Sequence, residues 1–418
     1  MADQLQRIDA GCLIPGDGDP IIRASVIVQG GSIQWVGPES DSPAVAEDAP
    51  VTKVPYLMPG LWDCHTHMTG LSTTSLDDVM RLPIPVAAAR SVRDAARALA
   101  AGITSVREVG GYGIYVSRVI DEGSVPGPTV YAAGDLISPT GGHADLHSYS
   151  LGCVADLGER GGWLRICDGI PECLKAVRIQ LRRGAKLIKI CASGGVLTTY
   201  DHPMHQQFSD EELKAMVEEA ARAERIVAAH CHGKAGIMAA LRAGAKTIEH
   251  GTYLDSESAQ AMKDAGAILV TTRFVKVRML EHGKRTGIPD YAYQKLLDTA
   301  DVQRGAVELA IKSGVKIAAG TDSLTSGDDT ALPWGLHGYE LKLLVDAGMT
   351  PLRAIKAATA TAPETLGPQA PKSGQILAGY DADMIAIDDD PVKNISLLTG
   401  PDHISHVWKH GRLVKRPA

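Results

Sequence analysis

The sequence has no block of residues that carry the same charge. It also has no long apolar run. Its 418 residues carry a formal net charge of −7 that is spread along the chain, so there is no electrostatic footprint for nucleic acid or an anionic membrane. No apolar run reaches the length of a membrane span, and the N-terminal segment MADQLQRIDAGCLIPG is polar where a signal peptide needs a continuous apolar segment. These absences favour a cytoplasmic protein whose partner is a small molecule.

Cysteine spacings typical of zinc ribbons or redox motifs are also missing. The seven cysteines contain no C-x-x-C pair, and an odd number argues against a complete disulfide framework. The G-x-S-x-G turn of many serine hydrolases is absent as well. We therefore expect reduced thiols.

Both ends of the chain have the texture of β-strands. ASVIVQGGSIQWVG lies before residue 60, and ADMIAID and HVWKHGRLV lie near the C-terminus. Such β-branched runs with turn punctuation predict short paired strands. We expect residues 1–59 and 365–418 to form one small β-sandwich domain that brackets the middle of the chain.

The middle of the chain repeats one unit, which is a helical stretch, a glycine and a short apolar strand. ALAAGITSVRE, QLRRGAKLIKI and ALRAGAKTIEH are examples. In them Gly184 and Gly244 occupy the position where a helix end favours a left-handed residue. The spacing of Ser209 and Glu212 predicts a capping box at the start of another helix.

Eight strand candidates lie in this middle part, and they alternate with helix candidates. They are Gly60–His67, Thr104–Gly110, Thr129–Leu136, Lys186–Ala192, Arg225–His232, Thr247–Tyr253, Ala267–Arg273 and Lys316–Asp322. This pattern predicts the α/β class and, over residues 60–364, a (β/α)8 TIM barrel. A doubly wound open sheet shares most of the pattern.

Polar residues recur at the ends of these strands. Functional side chains of a barrel project from the C-terminal strand ends, and the residues found there are His65, His67, Lys189, His230, His232, His250 and Asp322. Imidazole and carboxylate groups suit Zn, Fe, Mn or Ni, so these residues are a candidate metal set. Histidines with satisfied hydrogen bonds in a core are the alternative. Cys64 and Cys231, between the histidines, are expected to face the helices.

Lys189 lies in the middle of the apolar strand KLIKIC, and three interpretations remain open. Its ammonium extends past the strand end or pairs with an acid, or a desolvated amine forms a Schiff base with a carbonyl substrate. In the third, a neutral amine takes up CO₂ and becomes an anionic ligand between two metal ions. The surrounding histidines favour the third interpretation.

Together these motifs resemble the amidohydrolase superfamily in its two-metal form with a carbamylated lysine. The resemblance rests on PGLWDCHTH, the lysine of the fourth strand, AAHCHG, TIEHG, AAGTDS and GQILAGYDADMIAID, and it covers nearly the whole chain. SPTGGHADLHS, KICASGGV and IEHGTYLD are most similar to the prolidase-like carboxypeptidases and the ochratoxinase-type amidases. That branch forms homo-oligomers.

The resemblance implies a site with two divalent metal ions, with zinc expected. His65, His67 and Asp322 would hold one ion, His230 and His250 the other, and N6-carboxylysine at position 189 would bridge them. A hydroxide shared by the ions would be the nucleophile, and Asp322 would carry its proton to the departing amine. His232 would contact the substrate or polarise its carbonyl, with an exchange of roles between His230 and His232 as the alternative. His143 would contact the substrate, unless it faces solvent.

The reaction implied is hydrolysis of an amide whose leaving group is an amino acid with a free carboxylate. Dipeptides of the Xaa-Pro or Xaa-basic kind and N-acyl amino acids, such as an aryl amide of phenylalanine, meet this description. The alternatives are a cyclic-amide hydrolase or a deaminase of the same superfamily, a non-catalytic barrel and a Schiff-base aldolase. Deaminases usually use one metal ion and lack the bridging lysine, so Lys189 argues against that alternative.

Overall fold

The N-terminal segment forms four strands of one sheet. The computed structural model describes residues 5–417, and the strands are β1 (Gln6–Leu13), β2 (Ile21–Gln29), β3 (Ser32–Pro38) and β4 (Val51–Pro59). β1 pairs antiparallel with β2 and parallel with β4. Gly30 and Gly31, which join β2 to β3, both have positive φ, as a tight hairpin of this kind requires.

The middle segment forms two further sheets in which every pairing between strands is parallel. Its strands are β5 (Leu61–Leu71), β6 (Ile103–Glu108), β7 (Thr129–Ala132), β8 (Leu136–Ser138), β9 (Leu164–Ile166), β10 (Ile188–Cys191), β11 (Val227–Cys231), β12 (Thr247–His250), β13 (Ile268–Val270), β14 (Lys316–Ala318) and β15 (Ser323–Thr325). The strand orders are β15-β5-β6-β7 and β14-β13-β12-β11-β10-β8-β9. The predicted α/β class is confirmed.

Each predicted strand overlaps an observed one, but the third is divided. The predicted strand Thr129–Leu136 corresponds to β7 and the first residue of β8. Gly134 between them has a φ of 83°, which interrupts the extended backbone. The sequence therefore located the strands but not this break, and β9 and β15 were not predicted.

The C-terminal strands complete the first sheet. They are β16 (Met384–Ile387), β17 (Ile404–Lys409) and β18 (Arg412–Lys415), and the strand order of the sheet is β18-β17-β16-β4-β1-β2-β3. Both ends of the chain thus meet in one seven-stranded sheet, and its division into a sandwich stays a prediction. Residues 1–4 and 418, which the domain prediction includes, lie outside the described residues.

Helices connect most of the strands of the middle segment. They are α1 (Ile84–Ala100), α2 (Gly113–Asp121), α3 (Leu151–Glu159), α4 (Gly169–Arg183), α5 (Asp210–Ala221), α6 (Lys234–Ala243), α7 (Ser256–Asp264), α8 (Arg273–His282), α9 (Asp290–Ser313), α10 (Tyr339–Asp346) and α11 (Pro351–Ala357). The predicted capping box of Ser209 and Glu212 opens α5. Left-handed Gly184 and Gly244 end α4 and α6 as predicted. Along residues 5–417, no helix is both long and apolar enough to cross a bilayer.

The two faces of the parallel strands pack into different hydrophobic clusters. Ile188 and Ile190 lie in the large cluster that includes the helices, whereas Leu187 lies in a second cluster with Ala228 and Val270. Side chains alternate along a strand, so Lys189 lies on the same face as Leu187. The expected orientation of this strand is thereby confirmed.

Cys64 and Cys231 lie in different hydrophobic clusters. Cys231 lies in the large cluster, as expected, but Cys64 lies in the second cluster with Leu187. The prediction for Cys64 was wrong because the register of β5 against β6 shifts between Asp63 and Thr66. Such an irregularity interrupts strict alternation.

Candidate metal centre

One cavity at the carboxyl ends of the parallel strands collects all the predicted site residues. Its lining includes His65, His67, His143, Lys189, His230, His232, His250 and Asp322. They come from six different strands or the loops that follow them. The sequence spacing could not show this convergence, because it depends on how the strands pair.

His65 is held by a buried carboxylate on another strand. Its Nδ1 lies 2.7 Å from Oε2 of Glu249, and both side chains are fully buried. Its Nε2 has no hydrogen-bond partner in the part of the chain that the structure describes. Burial, reinforced by the charge of Lys189, lowers the pKa of His65 to about 4. The ring is therefore neutral at neutral pH and directs a free lone pair at the cavity.

Arg107 neutralises the carboxylate behind His65. Its Nη2 lies 2.7 Å from each oxygen of Glu249, and its Nε donates to the carbonyl oxygen of Cys64 at 2.6 Å. Although burial raises the pKa of Glu249, the charge of Arg107 and the hydrogen bond from His65 hold it well below its ordinary value. An ionised Glu249 thus fixes the tautomer of His65, as carboxylates behind metal-binding histidines commonly do.

Asp322 lies next to the two histidines of β5, His65 and His67. Its Oδ1 is 3.2 Å from Nε2 of His67 and 3.7 Å from Nε2 of His65. Its backbone N–H donates to the carbonyl oxygen of His65 at 2.7 Å. Nδ1 of His67 lies 2.7 Å from the carbonyl oxygen of Gly110, so Nε2 is the nitrogen directed at Asp322. Burial by itself would raise the pKa of Asp322. The two histidines lower the pKa by more than burial raises it, so the carboxyl group stays ionised.

Three further imidazoles form a second group. The potential ligand atoms of His230, His232 and His250 lie within 4.8 Å of one another, and His250 also belongs to a group with His65 and Asp322. Nδ1 of His232 lies 2.6 Å from Oγ1 of Thr252, which leaves its Nε2 for the cavity. Burial lowers the pKa of each of the three rings well below its ordinary value. All three are therefore neutral, the form that binds metal ions.

Backbone strain coincides with this centre. His250 and Asp322 have φ values of 69° and 64°, and Thr272, whose Oγ1 lies 2.7 Å from Nδ1 of His250, has a φ of 48°. Residues other than glycine rarely adopt this left-handed region, and such strain clusters at functional sites. The surrounding fold therefore fixes the positions of these side chains.

Lys189 is the second buried group with an unused polar atom at this centre. Its side chain is 1% exposed, and among residues 5–417 its Nζ has no hydrogen-bond partner. Burial lowers its pKa from the ordinary value of lysine. Neutral imidazoles, one carboxylate and an unpaired buried amine form a donor set that fits divalent ions such as Zn, Mn or Fe.

His143 lies against the metal-ligating candidates on a loop. Its ring stacks on that of His230 with centroids 4.3 Å apart, and its Nδ1 lies 2.9 Å from Oγ1 of Thr198. A Cβ atom at Gly195 would lie 2.0 Å from the His143 ring, so a side chain at this position of the turn after β10 would displace that ring. The rings of His202 and His205 lie tilted against each other with centroids 4.9 Å apart, and these residues are not among those that line the cavity.

Several residues of the site were missed at the sequence level. Glu249 directly precedes His250 in TIEHG, and a buried acid at that position was the available signal. Arg107 in ITSVRE is a second one, because a charged residue inside an apolar strand needs a partner. The threonines behind His232 and His250 carry no comparable signal, since threonine is common in strands.

Residues 56–414 match the model of the amidohydrolase family. The chain is 44% identical to an ochratoxinase of Aspergillus niger over 425 residues, which covers 98% of this chain and 86% of that protein. The crystal structure of A. niger ochratoxinase superposes with a TM-score of 0.90 at 42% identity, covering 100% of this chain and 97% of that one.

Two peptidase structures are also similar. A prolidase complexed with N-methylphosphonate-L-proline has a TM-score of 0.90 at 29% identity, covering 99% of this chain and 100% of that one. A Xaa-Pro dipeptidase with methionine bound in its active site has a TM-score of 0.85 at 28% identity, again covering 99% and 100%.

Proposed function

Because this chain belongs to the amidohydrolase family and is a hydrolytic enzyme that acts on amide bonds, we propose that it is a binuclear metal-dependent amidohydrolase. Its substrates would be dipeptides or N-acyl amino acids with a free C-terminal carboxylate. The observation that carries the proposal is the unpaired, buried Lys189 amine among neutral imidazoles and Asp322.

The ligands would divide into two sets bridged by Lys189. His65, His67 and Asp322 would hold one ion and His230 and His250 the other, with zinc as the proposed metal. A neutral lysine amine adds to CO₂ and releases one proton, so Lys189 would supply two carbamate oxygens that share one negative charge as N6-carboxylysine. Burial supports this step, because it lowers the pKa of the amine and so favours its neutral, nucleophilic form.

His230 is the better candidate ligand of the two histidines that end β11. Its Nε2 lies 3.3 Å from the carbonyl oxygen of Gly194, which leaves Nδ1 for a metal ion. In the tautomer of His232 whose Nδ1 accepts a hydrogen bond from Oγ1 of Thr252, Nε2 carries the proton and would donate a hydrogen bond to the substrate carbonyl. His143, stacked on His230, would contact the substrate beside it.

Proton transfer would depend on Asp322. Bound divalent ions lower the pKa of water and polarise the scissile carbonyl. The Asp322 carboxylate is ionised and faces the site from the end of the eighth predicted strand, so it would accept the proton of the attacking water and pass it to the leaving amine.

The substrate class is supported by the relatives and by the cavity lining. The similar proteins are an ochratoxinase, a prolidase and a Xaa-Pro dipeptidase. Apart from the polar centre, the cavity is lined by large apolar side chains, among them Leu136, Trp163, Val196 and Leu296. This lining would receive an apolar acyl group or amino-acid side chain.

We also infer that the two parallel sheets close into a (β/α)8 barrel over residues 60–364. Cys64 N–H donates to Ala319 O at 2.9 Å, which links β5 to the segment after β14. Lys186 N–H donates to Ala132 O at 2.9 Å, which links β7 to the segment before β10. Residues of both sheets share the second hydrophobic cluster. Segments 1–59 and 365–418 would form the β-sandwich domain.

A product-release assay with metal-replete and chelated enzyme tests the proposed function. The panel would contain Xaa-Pro, Xaa-Arg and Xaa-Phe dipeptides and N-acyl amino acids, each with and without a blocked carboxylate. We expect turnover of free acids that ends on chelation and returns with Zn²⁺. Activity that survives complete metal removal would contradict the mechanism, and equal turnover of blocked substrates would contradict the substrate class. Borohydride trapping of a substrate on Lys189 would show that this lysine forms a Schiff base, and it would contradict the carbamate.

A further inference from the structure

Lys276 is a second buried lysine at the edge of the same cavity. It lies in the first half of α8, which follows β13, and it lines the cavity with Val275 and Met279 of the same helix. The residue is 3% exposed. Lysines are almost never buried to this extent without a partner.

Among the residues that the structure describes, the ammonium group of Lys276 has no acidic partner. Within residues 5–417 its one hydrogen bond goes to Oγ1 of Thr299 at 2.5 Å, and no carboxylate lies within ion-pair distance. Thr299 donates its own proton to the carbonyl oxygen of Lys295 at 2.7 Å. An ammonium group has three donors, so two remain for a ligand.

Two other cations of low exposure are paired with carboxylates. Arg107 meets Glu249, and Lys409 lies 2.5 Å from Asp383. An unpaired buried cation is costly, because desolvation is not offset by an opposite charge. An anionic ligand at this position would offset the cost.

Electrostatics connect Lys276 to the metal centre. Burial lowers its pKa to about 7, and the charge of Asp322 opposes this effect. After burial, the charge of Lys276 is the strongest influence that lowers the pKa of His232. A ligand on Lys276 would therefore lie within reach of the residues proposed to act on the scissile amide.

We propose that Lys276 binds the carboxylate of the substrate's amino-acid portion and thereby selects free acids. This inference rests on the proposed function and names the residue behind its carboxylate preference. Among the described residues that line the cavity, Lys276 and Lys189 are the only lysines or arginines, and Asp322 is the only carboxylate. With Lys189 and Asp322 assigned to the metal centre, the cavity thus offers a counter-ion for one acidic group and none for a basic side chain.

The neighbours of Lys276 indicate which amino acid would leave. Val275 and Met279 flank it on α8, and Leu296 lies on α9 one turn before Thr299. A carboxylate held by Lys276 would place the adjacent side chain against these apolar groups. We therefore infer that apolar leaving amino acids such as phenylalanine are preferred over lysine and arginine.

The test compares two substrates that share one amide bond. N-benzoyl-L-phenylalanine carries the carboxylate, and N-benzoyl-phenethylamine has hydrogen in its place. We expect Lys276→Met to reduce the ratio of the two kcat/KM values by about 10- to 150-fold, the range for hydrogen bonds to charged groups. Lys276→Arg should keep part of the preference because it keeps the charge. Lys284→Met, an exposed lysine over the Tyr293 ring beyond α8, should leave the ratio unchanged.

Product binding provides a readout that does not depend on catalysis. Calorimetric titration of metal-replete enzyme with L-phenylalanine should show at least about tenfold weaker binding to Lys276→Met. Equal binding of L-phenylalanine to wild type and Lys276→Met, or an unchanged ratio of the two kcat/KM values, would overturn the role of Lys276. Neither result would contradict the proposed hydrolase function. A wild-type enzyme that cleaves no amide in the panel would overturn the proposed function, while the titration would still decide whether Lys276 binds a carboxylate. Metal content and thermal unfolding of each variant confirm that it is folded.

Discussion

Nδ1 of His65 and Oε2 of Glu249 lie 2.7 Å apart, although 184 positions separate the two residues in the chain. His65 belongs to β5 and Glu249 to β12, which are strands of different parallel sheets. The bond orients the His65 ring so that Nε2 faces the cavity. The geometry of the candidate metal centre therefore depends on contact between the two sheets.

Weakening this contact should loosen metal binding. In Glu249→Gln, the amide has one acceptor oxygen for both His65 and Arg107 and brings an N–H₂ group into contact with their donors. We expect metal affinity to fall by about 10- to 100-fold, as for other partners of metal-binding histidines. Metal content after dialysis against a competing chelator measures the change. Glu364→Gln, at an exposed pair with Lys316, is the matched control, and equal affinities in both variants would contradict the prediction.

Lys189→Ala should remove paired metal binding and activity. The variant loses the amine that would take up CO₂, and small carboxylic acids such as acetate should partly restore activity by supplying the missing oxygens. Elemental analysis and product release, with and without the acid, measure both effects. Lys186→Ala, an exposed lysine just before the same strand, should behave as wild type. A Lys189→Ala protein with two metal ions and full unaided activity would show that the bridge is absent.

Asp322→Asn should separate metal binding from turnover. An amide keeps one oxygen for coordination but cannot accept a proton, so much of the metal should remain while kcat falls by about 10²–10⁴-fold. Steady-state kinetics together with metal analysis would detect the difference. A variant that loses metal and activity in parallel would indicate that Asp322 acts as a ligand alone.

Asp94 on α1 should make stability depend on pH. It is 1% exposed, and burial raises its pKa from 3.8 to about 6 although Ser326 donates a hydrogen bond to it. Between these values the unfolded chain ionises while the folded protein keeps its proton, so the free energy of unfolding falls as pH rises. Above the folded pKa the accumulated loss would be up to about 3 kcal/mol.

Asp94→Asn removes this titration and tests whether the free energy of unfolding falls as pH rises. The difference in unfolding free energy between variant and wild type should grow in favour of the variant from about pH 4 to about pH 7. Urea unfolding over this range measures it. Asp346→Asn, at an exposed pair with Lys342, should show no such trend. A difference for Asp94→Asn that stays constant with pH would mean that its pKa is the same in both states.

Much of the site could be predicted because its polar residues lie in short, recognisable sequence motifs. His65 and His67 in DCHTH, Lys189 in KLIKIC and His250 in TIEHG stand out as polar residues at the ends of apolar strands. The parallel-strand rule then predicts that they meet. The structure brings them to one cavity, and their metal roles remain predictions.

Residues that act through long-range contacts could not be predicted in the same way. The register shift in β5 turned Cys64 to the face opposite to the expected one, and a local pattern does not show where a strand bulges. Lys276 lies in RFVKVRML, where a helical lysine is usually solvated. Its burial becomes visible only when α9 is packed against α8.

The sequence by itself determined the class of fold, the order of strands and helices, and the donor atoms available for metal binding. Each of these follows from local periodicity and side-chain chemistry, which do not depend on distant parts of the chain. Only the tertiary structure decided which nitrogen of each imidazole is free, which carboxylate is neutralised and which buried lysine is left without a partner. Those properties depend on desolvation and on contacts shorter than about 3 Å. Such contacts form only when segments far apart in the sequence pack together.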